Sequence, residues 1–214
     1  LSELEEQGIL KRVHGGAVLT AGSTFDTPAQ LRKTQQLAEK FKIAELASRF
    51  LRPSSTYFFD SSSTSAVLAS RLTEYPDVKI ATNGVDIIAN MSSSPKLSIL
   101  SCGGYLRSPW GELTGNIAIK SIEGMYADVF FFSCAGFTRE QGAMEFSDEN
   151  VAVKRAFYRN SKLHILLCDS TKFGKQYFFN LFTLHEIDYI VTDKRPVNSA
   201  LVELMGDRLI YPEG

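Results

Sequence analysis

Four places in the chain put hydroxyls, glycines or cations where a run of apolar residues ends. The first is Asp60-Ser61-Ser62-Ser63-Thr64-Ser65, directly after the apolar TYFF segment. Successive hydroxyls, together with the unpaired amides that begin a helix, make an anion site: those N–H groups lack intrahelical partners, and the helix dipole is positive there. A plain N-cap would need only one of these serines. The second place is Thr82-Asn83-Gly84, where Asn83 can serve as an ordinary turn or cap residue or face a ligand. The third is Cys102-Gly103-Gly104-Tyr105-Leu106-Arg107. Gly103 and Gly104 let a backbone approach a ligand closely, and Arg107 can grip a phosphate with two donors; the plain alternative is a tight turn with a solvated arginine. The fourth is Cys168-Asp169-Ser170-Thr171-Lys172-Phe173-Gly174. Lys172 and Asp169 share this segment, and Lys154, on the helix before it, can point the same way. Two lysines beside a hydroxyl-rich loop would hold a phosphate and part of a sugar.

Covalent and redox chemistry find less support. No G-x-S-x-G, G-x-x-x-x-G-K-[ST] or G-x-G-x-x-G pattern occurs. Asp128 opens an apolar strand, and Asp148 and Glu149 open a helix, where carboxylates favour the dipole for structural reasons. No acid and base stand out as a pair, so no catalytic residue and no cofactor is expected. Cys102, Cys134 and Cys168 are odd in number and widely spaced, which suits a reducing, cytoplasmic compartment better than a disulfide framework. His14, His164 and His185 are scattered, and no Cys or His pair has zinc-ligand spacing, so no metal is expected. A net charge of −1 provides no basic field to hold nucleic acid unaided. No apolar run approaches the ~20 residues of a membrane span, and no signal peptide opens the chain.

These strand-end clusters need a scaffold that brings them to one edge. Apolar runs at 56–60, 78–82, 97–102, 127–135, 163–169 and 186–193 alternate with helical patterning at 64–74, 84–91, 115–124, 149–160 and 198–205. Ile43, Leu46, Ala47 and Phe50 recur at helical spacing ahead of Pro53, which stops that helix. Several runs are apolar on both faces, as in parallel strands covered from both sides. The fold class is therefore α/β, an open, mostly parallel sheet flanked by helices. Ligands of such sheets bind outside the carboxyl ends of the strands. On the helix at 149–160, Val153, Ala156, Phe157 and Asn160 share one face, with Lys154 and Tyr158 on another.

Residues 1–20 differ in character. Leu1 to Gln7 read as the end of a helix that Gly8 caps, and 10–19 as a two-stranded ribbon turning at Gly15-Gly16. Residues 21–30 are a polar linker, and 31–214 form the α/β domain.

At these residues a family resemblance emerges. LSELEEQGILKRVHGGAV resembles the end of the winged helix-turn-helix of the DeoR family of bacterial transcription regulators, with the wing closing in HGGA. YFFDSSSTS, KIATNGVDIIANM, LSCGGYLR, LTGNIAI, AVKRAFYRNS, LLCDSTKFG and IDYIVTD resemble, in order, the blocks of that family's effector domain. The resemblance implies a fold shared with ribose-5-phosphate isomerase and sugar-phosphate deaminases, and a phosphorylated sugar or derivative as effector. By position, Asp60, Ser61, Ser62, Ser63 and Thr64 would form the phosphate loop, Asn83, Gly103, Gly104 and Arg107 would lie beside it, and Lys154, Asp169 and Lys172 would complete the pocket. Lys11, Arg12 and His14 would sit on the wing near DNA phosphates. Operator DNA would be a partner of a full-length protein that carries the missing helices, and a two-fold operator requires a homodimer or homotetramer.

Two departures from the family pattern carry expectations. Ser62 stands where the family usually has glycine, and would be strained if the position needs positive φ. Asn150, beside Glu149, stands where a glutamate often precedes the lysine of the V-K-R block. The alternative function is an isomerase- or deaminase-like enzyme. Such isomerases carry Asp-Gly-Ala-Asp-Glu where this chain has Ser133-Cys134-Ala135-Gly136-Phe137, so the carboxylates that move the proton are missing from that stretch.

Overall fold

The computed structural model describes residues 10–13, 16–19 and 27–213. Strands β1 (Leu10–Val13) and β2 (Gly16–Leu19) pair antiparallel, with Leu10 opposite Leu19 and Val13 opposite Gly16. The helical tail at Leu1–Gln7, His14 and residues 20–26 lie outside the described residues. Helix α1 (Ala29–Thr34) starts just after Pro28, inside the stretch read as linker. The pyrrolidine ring sets φ for entry into a helix and needs no N–H partner there.

The main sheet has the order β14-β13-β11-β8-β3-β4-β5, parallel throughout. Its strands are β3 (Thr56–Phe59), β4 (Val78–Thr82), β5 (Leu97–Ser101), β8 (Ala127–Phe132), β11 (Ser161–Leu167), β13 (Tyr189–Val191) and β14 (Leu209–Ile210). Alternate side chains divide the core in two. Tyr57, Phe59, Val129, Phe131, Ile165 and Leu167 pack on α2 (Leu37–Ala47), α3 (Ser63–Ala69) and α4 (Val85–Met91). Phe58, Phe130, Phe132 and Leu166 pack on α5 (Asn116–Glu123), α6 (Asp148–Arg159) and α7 (Ser199–Met205). Aromatic contacts knit the central strands: Phe59 and Phe131 stack at 5.2 Å, and Phe58 meets Phe157 of α6 at 4.8 Å. Each such pair adds about 0.5–1.5 kcal/mol beyond its area burial.

Two smaller sheets stand at the carboxyl ends. One is the ribbon of β6 (Tyr105–Arg107) and β7 (Glu112–Thr114); the other joins β12 (Phe179–Phe182), β10 (Gly142–Glu145) and β9 (Gly136–Thr138). No apolar run in the sequence marks the short strands of these sheets apart from the ones above. Their strands are only three or four residues long, and the β10–β12 pairing joins Ala143 to Phe182 across the whole of α6 and β11. Two strands are also shorter than their apolar runs. β8 stops at Phe132 because the Ser133 amide leaves the ladder for the Asp60 carboxylate, 2.9 Å away. The run at 186–193 yields only Tyr189–Val191, since Thr183 and Glu186 close a capping box on the turn before it.

The face assignment of α6 changes as well. Lys154 is 2% exposed, although its neighbours in sequence place it on a polar face. Among the described residues no helix is long and apolar enough to cross a membrane. Cys102, Cys134 and Cys168 are buried and free.

Candidate functional site

The strand order reverses between β3 and β8: β4 and β5 follow on one side, and β11, β13 and β14 on the other. The loops that leave β3 and β8 therefore diverge and open a crevice at their carboxyl ends. Asp60 follows β3 and Ser133 follows β8, so both stand at this point.

Asp60 is fully buried and organises the loop after β3. Its Oδ1 accepts from the Ser62 amide at 3.1 Å, the Ser62 hydroxyl at 2.6 Å and the Ser65 hydroxyl at 2.5 Å. Its Oδ2 accepts from the Ser133 amide and faces the Lys154 ammonium at 3.0 Å. Burial alone would push this carboxyl up; the Lys154 charge and the hydrogen bonds from Ser62, Ser65 and Ser133 hold it below the ordinary aspartate range. Ser62 has φ −72° and ψ 148°, and its hydroxyl accepts from the Ser65 amide at 3.1 Å. It is an unstrained N-cap, so the position needs no glycine and the expectation of strain is corrected. Thr64 and Ser65 are buried, while Ser61, Ser62 and Ser63 are half-buried along the loop.

Lys154 lies beneath the crevice. Its amine donates to the Ser133 carbonyl at 2.8 Å and is shared between the carboxylates of Asp60 and Glu145. Those two carboxylates hold the ammonium above the ordinary lysine range despite its burial. Ser133 bridges to the second lysine: its hydroxyl accepts from the Lys172 amine at 2.9 Å and donates to the Leu167 carbonyl at 2.7 Å. Lys172 also faces Asp169 at 3.5 Å, with its side chain 21% exposed against 3% for Lys154. Of the two lysines, Lys172 alone is therefore placed to meet a solute from the crevice. Asp169 caps its own turn by accepting from the Thr171 amide and hydroxyl, and with Lys172 beside it stays below its ordinary range.

The other wall comes from the β6–β7 ribbon. Glu112, fully buried, accepts from Arg107 at 2.8 Å and from the Ser61 hydroxyl at 3.1 Å. Burial raises its carboxyl above the ordinary glutamate value, and Arg107 offsets part of that rise. Arg107 also donates to the Ser147 hydroxyl at 2.7 Å and lies over the Trp110 ring at 4.5 Å. Asn83 donates to the Leu113 carbonyl at 3.2 Å; its buried Oδ1, like that of Asn150, has no hydrogen-bond partner among the described residues. Gly103 and Gly104 have φ of +64° and +104°, and a Cβ on Gly104 would lie 2.3 Å from the Thr114 carbonyl oxygen. The close approach of the Thr114 carbonyl within the ribbon, with Ala118 of α5 next to it, accounts for that glycine.

The structure thus brings Asp60, Ser62, Lys154, Asp169 and Lys172 into one network, with Ser61 joined beside it through Glu112 to Arg107. It ties in Ser65, the last of the hydroxyl run, and adds residues that sequence reasoning did not place in the site: Glu112, Ser133, Glu145 and Ser147. Glu145 did leave a signal, since a carboxylate between Ala143, Met144 and Phe146 is out of place on a solvated strand. Glu112 left none, because its burial depends on the ribbon folding over Gly84, whose backbone it bridges.

A parallel sheet that reverses its order beside charged and hydroxyl-bearing strand ends defines an α/β domain of the open, doubly wound class, and such sheets take their ligands at that edge. The chain belongs to the DeoR family: the family model described as the DeoR C terminal sensor domain matches residues 35–194. The HTH-type transcriptional regulator GolR of Listeria innocua is 31% identical over 207 residues, covering 97% of this chain and 81% of that protein. The glycerol-3-phosphate regulon repressor of Escherichia coli is 30% identical over 201 residues, covering 94% and 79%. The transcriptional repressor AccR of Agrobacterium fabrum is 29% identical over 194 residues, covering 90% and 75%. Among solved structures, the delta subunit of eIF2B from Chaetomium thermophilum matches with a TM-score of 0.55 at 12% identity, over 76% of this chain and 58% of that one. That likeness shows the fold. Ribose 5-phosphate isomerase from Plasmodium falciparum matches with a TM-score of 0.45 at 10% identity, over 63% and 51%. The chain therefore carries the sensor domain of a DeoR-type transcriptional regulator, in which effector binding controls DNA binding.

Proposed function

We propose that the effector is a phosphorylated sugar or sugar derivative, bound in the crevice between β3 and β8 and reported rather than transformed. The observation that carries this reading is the placement of the Lys172 amine, partly exposed and tied to Ser133, on the same network as the Ser61–Ser63 loop. A cation, hydroxyls and loop amides together suit a phosphate. The open acceptors on Asn83 and Asn150 suit sugar hydroxyls on the other side. The name of the Escherichia coli relative points to a phosphorylated three-carbon compound, consistent with the same chemistry. Gly103 and Gly104 shape the ribbon wall, Lys154 acts from below by holding the Asp60 that fixes the loop, and Thr64 lies buried at the start of the helix that follows.

Binding without turnover is supported by how the carboxylates are engaged. Asp60 and Glu145 hold Lys154, and Asp169 holds Thr171 and Lys172. One observation favours a second reading, a sugar-phosphate isomerase or deaminase: Glu112 is buried beside the crevice with a raised pKa, as catalytic acids and bases are. In the first reading residues 1–20 are the end of a recognition helix and a wing, Lys11, Arg12 and His14 approach operator phosphates, and the cytoplasmic protein works as a homodimer or homotetramer. A thermal shift across a panel of sugar phosphates tests it. A bound effector at a hundredfold excess over Kd stabilises by about 2.7 kcal/mol, and Lys172→Ala should abolish the shift while the domain stays folded. Consumption of any panel member, lost in Glu112→Gln, would establish the enzyme instead.

A further inference from the structure

Asn83 and Asn150 are 0% and 5% exposed, yet the Oδ1 atom of each has no hydrogen-bond partner among the described residues. An amide oxygen can only accept. Buried acceptors are normally paired, and one left open is unfavourable. Two open acceptors on one wall of a crevice point to a donor that the ligand brings.

The backbone places both amides on the ribbon wall. Asn83 is anchored on β7: its carbonyl accepts from the Leu113 amide at 2.8 Å, and its Nδ2 donates to the Leu113 carbonyl at 3.2 Å. The nitrogen is thus committed, and the oxygen is the open end. Gly84, the next residue, bridges to Glu112, and a Cβ on it would lie 3.0 Å from the Ser61 Cα. The turn at Asn83 therefore touches the hydroxyl-rich loop. Asn150 stands one turn before Lys154 on α6, so the two share a helix face. The Asn150 amide donates to the Ser147 hydroxyl at 3.2 Å, the same hydroxyl that receives Arg107 at 2.7 Å. Helix α6 in turn packs on β7.

The charges around these amides are already matched. Glu112 and Glu149 pair with Arg107, and Asp60 and Glu145 pair with Lys154. A hydroxyl can donate to the open oxygens without bringing charge. An ammonium would give up its water for neutral amide dipoles and stand near two cations. We propose that Asn83 and Asn150 form the hydroxyl-recognising half of the crevice, that the effector is a phosphorylated polyol uncharged beyond its phosphate, and that Asn150 is the residue that selects it over an amino analogue. This rests on the crevice binding a phosphorylated ligand.

The test is titration calorimetry on the full chain at about pH 6.5, where an ordinary amine is charged. The probes are inorganic phosphate and two matched pairs: glycerol 3-phosphate with 2-amino-3-hydroxypropyl phosphate, and glucose 6-phosphate with glucosamine 6-phosphate. In the wild type, at least one polyol phosphate should bind about tenfold or more tightly than inorganic phosphate and than its own amino analogue. Asn150→Asp puts a carboxylate in the first turn of α6, where the helix dipole favours it, and should move the polyol-to-amine ratio about tenfold toward the amine. The ratio cancels any general loss of phosphate affinity. Asn150→Leu, similar in size and unable to accept, should lower the ratio of polyol phosphate to inorganic phosphate affinity about tenfold. Equal binding of polyol and amine in the wild type, or ratios that neither variant moves, would overturn the proposal. If Asn150→Leu does not fold, as judged by far-UV circular dichroism, Asn150→Asp decides it. Should inorganic phosphate bind and no polyol phosphate bind better, this proposal fails while the phosphate reading stands. If no phosphate compound binds, that reading falls and takes this one with it.

Discussion

Asp60 is the residue on which the crevice is built, and its role is to organise. A buried carboxylate that receives four donors and faces an ammonium has no capacity left for an anionic ligand, which it would repel. Removing its charge leaves Lys154 with Glu145 alone and turns one amide hydrogen toward existing donors. Breaking a buried pair in this way costs about 3–5 kcal/mol; the remaining Glu145 contact sets Asp60→Asn at about 3 kcal/mol, read as a lowered midpoint of urea unfolding. Ser62 makes a second residue-scale contrast. Ser62→Ala removes an N-cap acceptor and should cost about 1 kcal/mol. Ser62→Gly should bring no gain, because φ −72° is open to any residue. A rise in stability on Ser62→Gly would show that the loop is strained after all.

At the scale of elements, the β6–β7 ribbon decides the shape of the site. It folds back because Gly104 and Gly111 take positive φ and because Gly104 leaves room for the Thr114 carbonyl. Gly104→Ala would drive a methyl into that oxygen at 2.3 Å, so the ribbon must move. Overpacking of this kind costs about 1–3 kcal/mol. The displacement would reach Glu112 and Arg107, so the variant should lose sugar-phosphate shifts before it loses its fold, as seen by thermal shift beside far-UV circular dichroism. The fold was legible at this scale wherever apolar period was long: β3, β4 and the helices α2, α5, α6 and α7 fall close to where their patterns place them. The three- and four-residue strands of the smaller sheets were not, because their partners are distant in sequence and their apolar content is too short to show a period.

For the whole molecule, the buried charges set the response to pH. Asp60 and Asp169 titrate below the ordinary aspartate value of 3.8. Their contribution is complete above that value and is lost as pH falls through their folded pKa. Glu112 has the opposite sign: raised above 4.5, its burial opposes folding once ionised, and protonation relieves this as pH falls. Lys40 acts on the alkaline side, where its lowered pKa makes stability rise as pH climbs from about 8 toward 10.5. Urea midpoints across pH should therefore stay level or rise slightly from neutral down to about 4.5, then drop below about 3.8. In Glu112→Gln the rise should vanish while the acid drop remains.

By itself the sequence determined the α/β class, the family resemblance, and the hydroxyl-rich, glycine-rich and lysine-bearing strand ends, because periodicity and local turn chemistry act over neighbouring residues. Tertiary structure alone decided which of those groups face the crevice. It placed Lys154 below the crevice and Lys172 at it, put Glu112 and Glu145 among the buried charges, and set Lys40 against the end of α1. Each of these depends on groups far apart in the chain meeting across a strand-order reversal. Burial and charge neutralisation there are properties of the assembled sheet, which no local pattern encodes.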